Sequence, residues 1–218
     1  PGPLKIARKS IEFRCEIAKA TDEQNVFGWL SVVETPDGTV VKDLQGHTIS
    51  GNGSKNSAGI KGSNADLLNV EIRNGTVESF ALAIRLSGVR GARIEHMRVV
   101  NNQGSAIIVG PGSVVSFSTV LNNGFGIYMA GGGSFVMDNV VSENGATGIF
   151  SDDPNNVVKN NLVTHNVRAG IDVACPSQVV GNTVLSNPKG KPNEPQNIIL
   201  EGVTASCLAR DNLAAFKK

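Results

Sequence analysis

Val136-x-x-Asn139-x-Val141-x-x-Asn144-Gly145, Val158-x-x-Asn161-x-Val163-x-x-Asn166 and Val179-x-x-Asn182-x-Val184-x-x-Asn187 are three copies of one pattern. Two Asn columns run through them, separated by columns of valine. A second motif keeps the same period, a small residue followed by Ile. It occurs at Gly59-Ile60, Ala83-Ile84, Ala106-Ile107, Gly126-Ile127, Gly148-Ile149 and Gly170-Ile171, with Ile-to-Ile steps of 24, 23, 20, 22 and 22 residues. Asn197-Ile198 is a weaker seventh copy. Aliphatic residues spaced by two in short runs describe strands, and Asn or Gly marks the bends between them. A helical solenoid needs a 3.6-residue period and roughly 30 or more residues per repeat, and it does not tolerate this much Asn, Gly, Val and Ile.

Units of 20 to 24 residues with three short strands each predict an all-β fold, a single-stranded right-handed parallel β-helix solenoid of about seven to eight coils with an N-terminal cap. Each coil advances roughly 4.8 Å, Val and Ile stack inward, and Asn ladders on Asn. Asn suits such bends because it tolerates left-handed backbone and its amide can donate to the next Asn along the stack. The expected division is a capping segment over residues 1–38 and the β-helix over 39–216. In the cap, Lys5 to Ala20 carries Ile6, Ile11, Phe13 and Ile17 among charges, and Trp29 follows. Leu208, Leu213 and Phe216 are expected to close the last coil, since an open end exposes apolar surface and strand edges. Residues 187–195 read as an inserted loop.

Composition limits the function classes. The chain has 218 residues, a net charge of +1, 40% hydrophobic and only 5% aromatic residues, with 25 Gly and, counted along the sequence, 22 Asn. That is enough for one sizeable core and too balanced for a charge-driven nucleic-acid binder, so no nucleic-acid partner is expected. No run of eighteen apolar residues is present, so no transmembrane helix and no membrane partner are expected. Zinc, magnesium and phosphate-loop motifs are absent, and neither a cofactor nor a metal is expected. The sequence opens at Pro1 with neither an initiator Met nor a leader, as expected of a start inside a longer chain or of a processed terminus.

Asp43-Leu44-Gln45-Gly46-His47-Thr48-Ile49-Ser50-Gly51 followed by Val70-x-Ile72-Arg73-Asn74-Gly75-Thr76-Val77 resembles the opening of bacterial right-handed parallel β-helix repeat proteins of the pectin-lyase-like superfamily. Cys175-Pro176-Ser177-x-Val179-Val180-Gly181-Asn182 and Cys207-x-x-x-Asp211-Asn212-Leu213-Ala214 resemble their closing coils. The resemblance covers roughly residues 39 to 214 and rests on turn and ladder residues, so it speaks to fold more than to activity. It implies polysaccharide lyases, glycoside hydrolases, uronate epimerases or non-catalytic relatives, and a secreted or periplasmic location. It also implies that Cys175 and Cys207 lie close enough for a disulfide, with two buried free thiols as the alternative. Asp152-Asp153-Pro154 is similar to acidic motifs of that superfamily but lacks a following His and a matching acidic motif one coil on, and it reads as a turn.

With the inward columns committed to the core, chemistry must come from outward ones. The position after each small-Ile pair reads Lys61, Arg85, Ile108, Tyr128, Phe150, Asp172. Arg85, Tyr128, Phe150 and Asp172 are candidate substrate-binding residues along a sugar-stacking platform; alternatively Ile108, Tyr128 and Phe150 form a homo-oligomer interface or lie under a loop. Only Asp172 is acidic there, which argues against a calcium-dependent lyase. The position before the second Asn column reads Asn101, Asn122, Glu143, His165, Ser186. Glu143 and His165, roughly 5 Å apart on adjacent coils, are candidate catalytic acid/base groups, with Arg168 placed to hold an anionic sugar. The plain alternative is a solvated polar pair. Arg85, Arg90, Arg93 and Arg98, with His96 among them, form a basic stretch that would attract a uronate polymer. Two functions follow: a carbohydrate-active or carbohydrate-binding protein using lyase or epimerase chemistry on an acidic polysaccharide, or a non-catalytic structural or assembly domain.

Overall fold

The computed structural model describes residues 32–34, 40–53, 55, 57–62, 70–187, 197–202 and 206–214. The expected cap residues Lys5 to Ala20 and Trp29, together with Phe216 and residues 188–195 of the expected insertion, lie outside the described residues. What is described is a parallel β-solenoid. One wall is a seven-stranded sheet built from Ala58–Lys61, Leu82–Leu86, Ser105–Val109, Phe125–Met129, Ile149–Ser151, Ile171–Ala174 and Ile198–Glu201, each strand pairing only with those one coil away. Its seven rungs make about six turns, slightly fewer than the seven to eight coils expected. Asn197-Ile198 does open a rung: Ile198 lies in register with Ile171.

The rest of each coil is a pair of short strands, such as Phe135–Met137 and Val140–Ser142, hinged at Asp138. In the first coils the pair runs together as Val70–Glu78 and Arg93–Val100. Pairing is parallel throughout the described residues except at the start, where Val32–Glu34 lies antiparallel on Val40–Asp43. Three fully buried aliphatic columns fill the interior. They are led by Ile84, Ile107, Ile149 and Ile171 on the seven-stranded wall, with Val115, Val136, Val158 and Val179, and Val120, Val141, Val163 and Val184, across from it. Burial of each such side chain is worth about 1.5–3 kcal/mol. Among the described aromatic residues only Phe80 is inside; Phe117, Phe125, Tyr128, Phe135 and Phe150 all point outward.

The bends are held by side-chain ladders. The Asn139 backbone N–H donates to Asn161 Oδ1 at 3.0 Å, and Asn161 repeats this to Asn182 at 2.9 Å. The column begins at Ser118 and ends at Asn212. The second ladder runs from Asn102 through Asn123, Asn144, Asn166 and Asn187 to Asn197, across the insertion. Sequence reading found these two and missed a third, Ser113, Ser134, Asn156 and Ser177, where three hydroxyls and one amide take the same role. It also put the left-handed backbone on the wrong residue. Positive φ falls one position earlier, at Asp138, Asn160, Glu143 and His165 among others, so that the ladder Asn turns its amide inward.

The small-Ile motif follows from the ladder. A Cβ on Gly148 would meet Asn166 Nδ2 at 2.8 Å and Gly170 O at 2.7 Å. At the far end, Leu208 and Leu213 do not close the coil. They lie in register with the outward residues Gln178 and Thr183, while Ala209 and Ala214 take the inward columns beside Val179 and Val184.

Replacing Asn161 tests the ladder. Its Oδ1 accepts from the Asn139 backbone and side chain, and its Nδ2 donates to Val136 O and Asn182 Oδ1. Asn161→Ala strands buried donors at about 1–3 kcal/mol and should lower the urea midpoint accordingly. Asn212→Ala, at the end of the column, should cost less.

Candidate functional site

Parallel register makes the outward positions of the seven-stranded wall a straight line. Lys61, Arg85, Ile108, Tyr128, Phe150, Asp172 and Ile199 follow one another rung by rung. Six steps of about 4.8 Å make the stripe roughly 29 Å long. Lys61 and Arg85 are exposed at one end. Tyr128 and Phe150 form the middle, with ring centroids 5.4 Å apart and planes tilted by 32°. The stripe thus changes along its length from cationic to aromatic to acidic.

Asp172 is the anomalous member. Its Oδ1 is enclosed without a hydrogen-bond partner, in register between Phe150 and Ile199. Burial, with the negative charges of Glu201 and Asp152 adding to it, pushes the carboxyl up to about 6. A carboxyl so placed exchanges protons in the range where acid/base catalysts work. Tyr128 is raised as well, first by burial and then by Asp152 and Asp153. Nothing in the sequence groups Asp152 and Glu201 with Asp172, because they stand at the neighbouring outward row, one coil away on either side. Asp152 itself leads the turn expected there, in which Ser151 Oγ accepts from Asp153 N at 3.2 Å and from Asn156 Nδ2 at 2.9 Å.

Glu143 and His165 occupy the corner where the chain enters this wall. They follow the paired hydroxyls of Ser142 and Thr164, 3.1 Å apart, at φ of 57° and 56°. Both side chains are exposed, and no hydrogen bond or ion pair joins them. Arg168 is exposed two residues beyond the ladder, its backbone N–H donating to Ala146 O at 3.2 Å. The structure therefore divides the candidate residues. Arg85, Tyr128, Phe150 and Asp172 share one line; Glu143, His165 and Arg168 stand along its edge, the last two on the same coil as Asp172. Phe125, exposed at the start of its strand, adds an aromatic on that side that sequence reading missed. In the basic stretch, Arg93 pairs with Glu95 at 2.7 Å, while Arg85, Arg90 and Arg98 make no ion pair among the described residues. Among the same residues, no three His, Cys, Asp or Glu side chains are placed to hold a metal ion, and no helix is long and apolar enough to cross a membrane.

A disulfide joins Cys175, at the end of the Asp172 strand, to Cys207, with α-carbons 5.2 Å apart. It ties the last two coils together around the insertion.

Residues 56–191 match the family model described as "Right handed beta helix region". No curated protein matches the sequence. Among solved structures, the crystal structure of a double mutant of the periplasmic alginate epimerase AlgG is similar, with a TM-score of 0.52 and 14% identity, over 81% of this chain and 47% of that one. The chain spans about half the length of that protein, and at this identity the likeness concerns the fold.

Two measurements check the site. Asp172 costs the fold nothing when protonated in both folded and unfolded chains, below pH 4. The cost grows as pH rises from the ordinary value of 3.8 to the folded value of about 6, and persists above it. Asp172→Asn should therefore melt with the wild type at pH 3.5 and above it at pH 7.5. Alkylation before reduction should leave Cys175 and Cys207 unmodified, and Cys207→Ser should lower stability by about 3–4 kcal/mol for this loop length.

Proposed function

This chain belongs to the right-handed β-helix family, whose coils commit their inward side chains to packing, and we propose that its outward stripe binds an acidic polysaccharide lengthwise and acts on it. The observation that carries this reading is the stripe itself. An extended sugar chain and a row of rungs are both linear repeats, and this row offers cations, aromatic faces and a protonatable carboxyl in sequence. The likeness to a protein named an alginate epimerase, whose substrate is a uronate polymer, supports the same substrate class.

In this reading Tyr128 and Phe150 stack against sugar rings, and Lys61 and Arg85 receive carboxylates. Arg85 stands four rungs, about 19 Å, from Asp172, so it holds a different sugar from the one that reacts. At the reacting sugar, Arg168 neutralises the carboxylate, which acidifies the adjacent C–H. His165, with Glu143 beside it, removes that proton, and Asp172 is the second group that gives or takes one. Delivery of a proton by the second group to the opposite face of that carbon is epimerisation; if instead the carbanion expels the neighbouring glycosidic oxygen, forming C=C as the C–O bond breaks, and that oxygen takes the proton, the reaction is that of a lyase. The Cys175–Cys207 disulfide supports export to an oxidising compartment, secreted or periplasmic.

The contiguous Ile108, Tyr128 and Phe150, each half-buried, favour a second reading in which the same stripe binds another copy of the chain. Incubation with a panel of uronate polysaccharides separates the two, with unsaturated ends and altered uronate stereochemistry as readouts. Tyr128→Ala should weaken polysaccharide binding roughly tenfold, while Asp172→Asn and His165→Ala should lose turnover with affinity kept within about twofold. Inactivity across the panel, with a sedimenting mass that falls on Tyr128→Glu, would favour self-association.

A further inference from the structure

Phe117 stands where this fold has no use for it. The bend between the paired strands opposite the seven-stranded wall is a column of left-handed residues, Asn74, His96, Phe117, Asp138, Asn160, Gly181 and Asp211, with φ between 50° and 68°. Asn, Asp and Gly adopt that backbone readily and a bulky ring does not. Phe117 takes it at φ 50°, and its ring is 56% exposed, so the side chain covers no core in return. Strain kept at an exposed aromatic is a mark of a binding position.

His96, one coil earlier, stacks on this ring with centroids 5.3 Å apart and planes within 17°. One face of Phe117 is thereby covered and the ring is braced. Its other face looks along the axis toward the next coil, where the column holds the short side chain of Asp138 rather than another ring. Beside that space stand Met137 and Val140, the latter 40% exposed, and Asn160 follows one coil further. An open aromatic face with a carboxylate and an amide alongside suits a sugar ring, whose C–H face packs on the aromatic while its hydroxyls donate to the acid.

We propose that Phe117, braced by His96, is a second carbohydrate site, taking one sugar ring on its open face with Asp138 and Asn160 as hydrogen-bond partners. It lies across the core from the stripe, so one molecule bridges two polysaccharide strands. The inference rests on the carbohydrate reading of the stripe, but a separate set of side chains carries it.

Short oligomers of galacturonate, mannuronate and glucose, titrated calorimetrically, test it. The wild type should bind two oligomers per chain of at least one type. Phe117→Asn should bind one, with a thermal midpoint equal to or above that of the wild type because the new residue fits the backbone. Tyr128→Ala combined with Phe150→Ala should also bind one. Unchanged stoichiometry in Phe117→Asn, or a lowered midpoint showing the ring to be a packing residue, would overturn the proposal. If Phe117→Asn loses all binding and the double variant none, the stripe reading fails and this one stands. If no oligomer binds the wild type, both fail.

Discussion

At every bend of this solenoid a backbone N–H turns toward the interior, where no strand partner can reach it. The whole structure depends on giving that donor an acceptor. A buried donor left alone costs about 1–3 kcal/mol, roughly twice what a hydrogen bond contributes net, and a repeated fold meets the problem once per corner. Side-chain oxygens of Asn and Ser, delivered from the following coil, solve it. The solution fixes the coil length, since an acceptor must arrive at the same azimuth each time. It also explains why glycine or alanine precedes the buried isoleucines: at Gly148, the space a side chain would take belongs to the amide of Asn166.

Regular coils turn outward positions into straight lines, and this is how residues some 22 apart in the sequence become a surface. Against so uniform a background the exceptions are conspicuous. Buried polar atoms in the ladders are satisfied, yet Asp172 Oδ1 is not. The core is aliphatic apart from Phe80, while the other described aromatic residues gather on the outside between residues 117 and 150.

The fold was legible because its causes are periodic. Val136, Asn139 and Val141 mean little alone, but three copies at a fixed step identify the coil, and the outward stripe from Lys61 to Asp172 followed directly from counting. What escaped notice was aperiodic or chemically mixed. The third ladder mixes Ser113, Ser134 and Ser177 with Asn156, and serine carries no turn signal as strong as the Asn columns do. The left-handed residue had to be placed by backbone geometry, since Asp138 and Asn139 are equally plausible from their side chains. The acidic surroundings of Asp172 depend on Asp152 and Glu201, which the sequence separates by 49 positions that include an insertion. The flat stacking of His96 on Phe117 joins two unlike residues 21 apart, and no motif announces it.

The ladders also have a direction. In each, the donor belongs to the earlier coil and the acceptor to the later one, so a corner is complete only when the next coil has been laid down. Each coil is therefore completed by its C-terminal neighbour, so removing a coil from the C-terminal side would strand the inward donors of the one before it. The amide dipoles along each Asn column all point the same way, each polarising the next, so the solenoid carries two rows of oriented dipoles through an otherwise apolar interior.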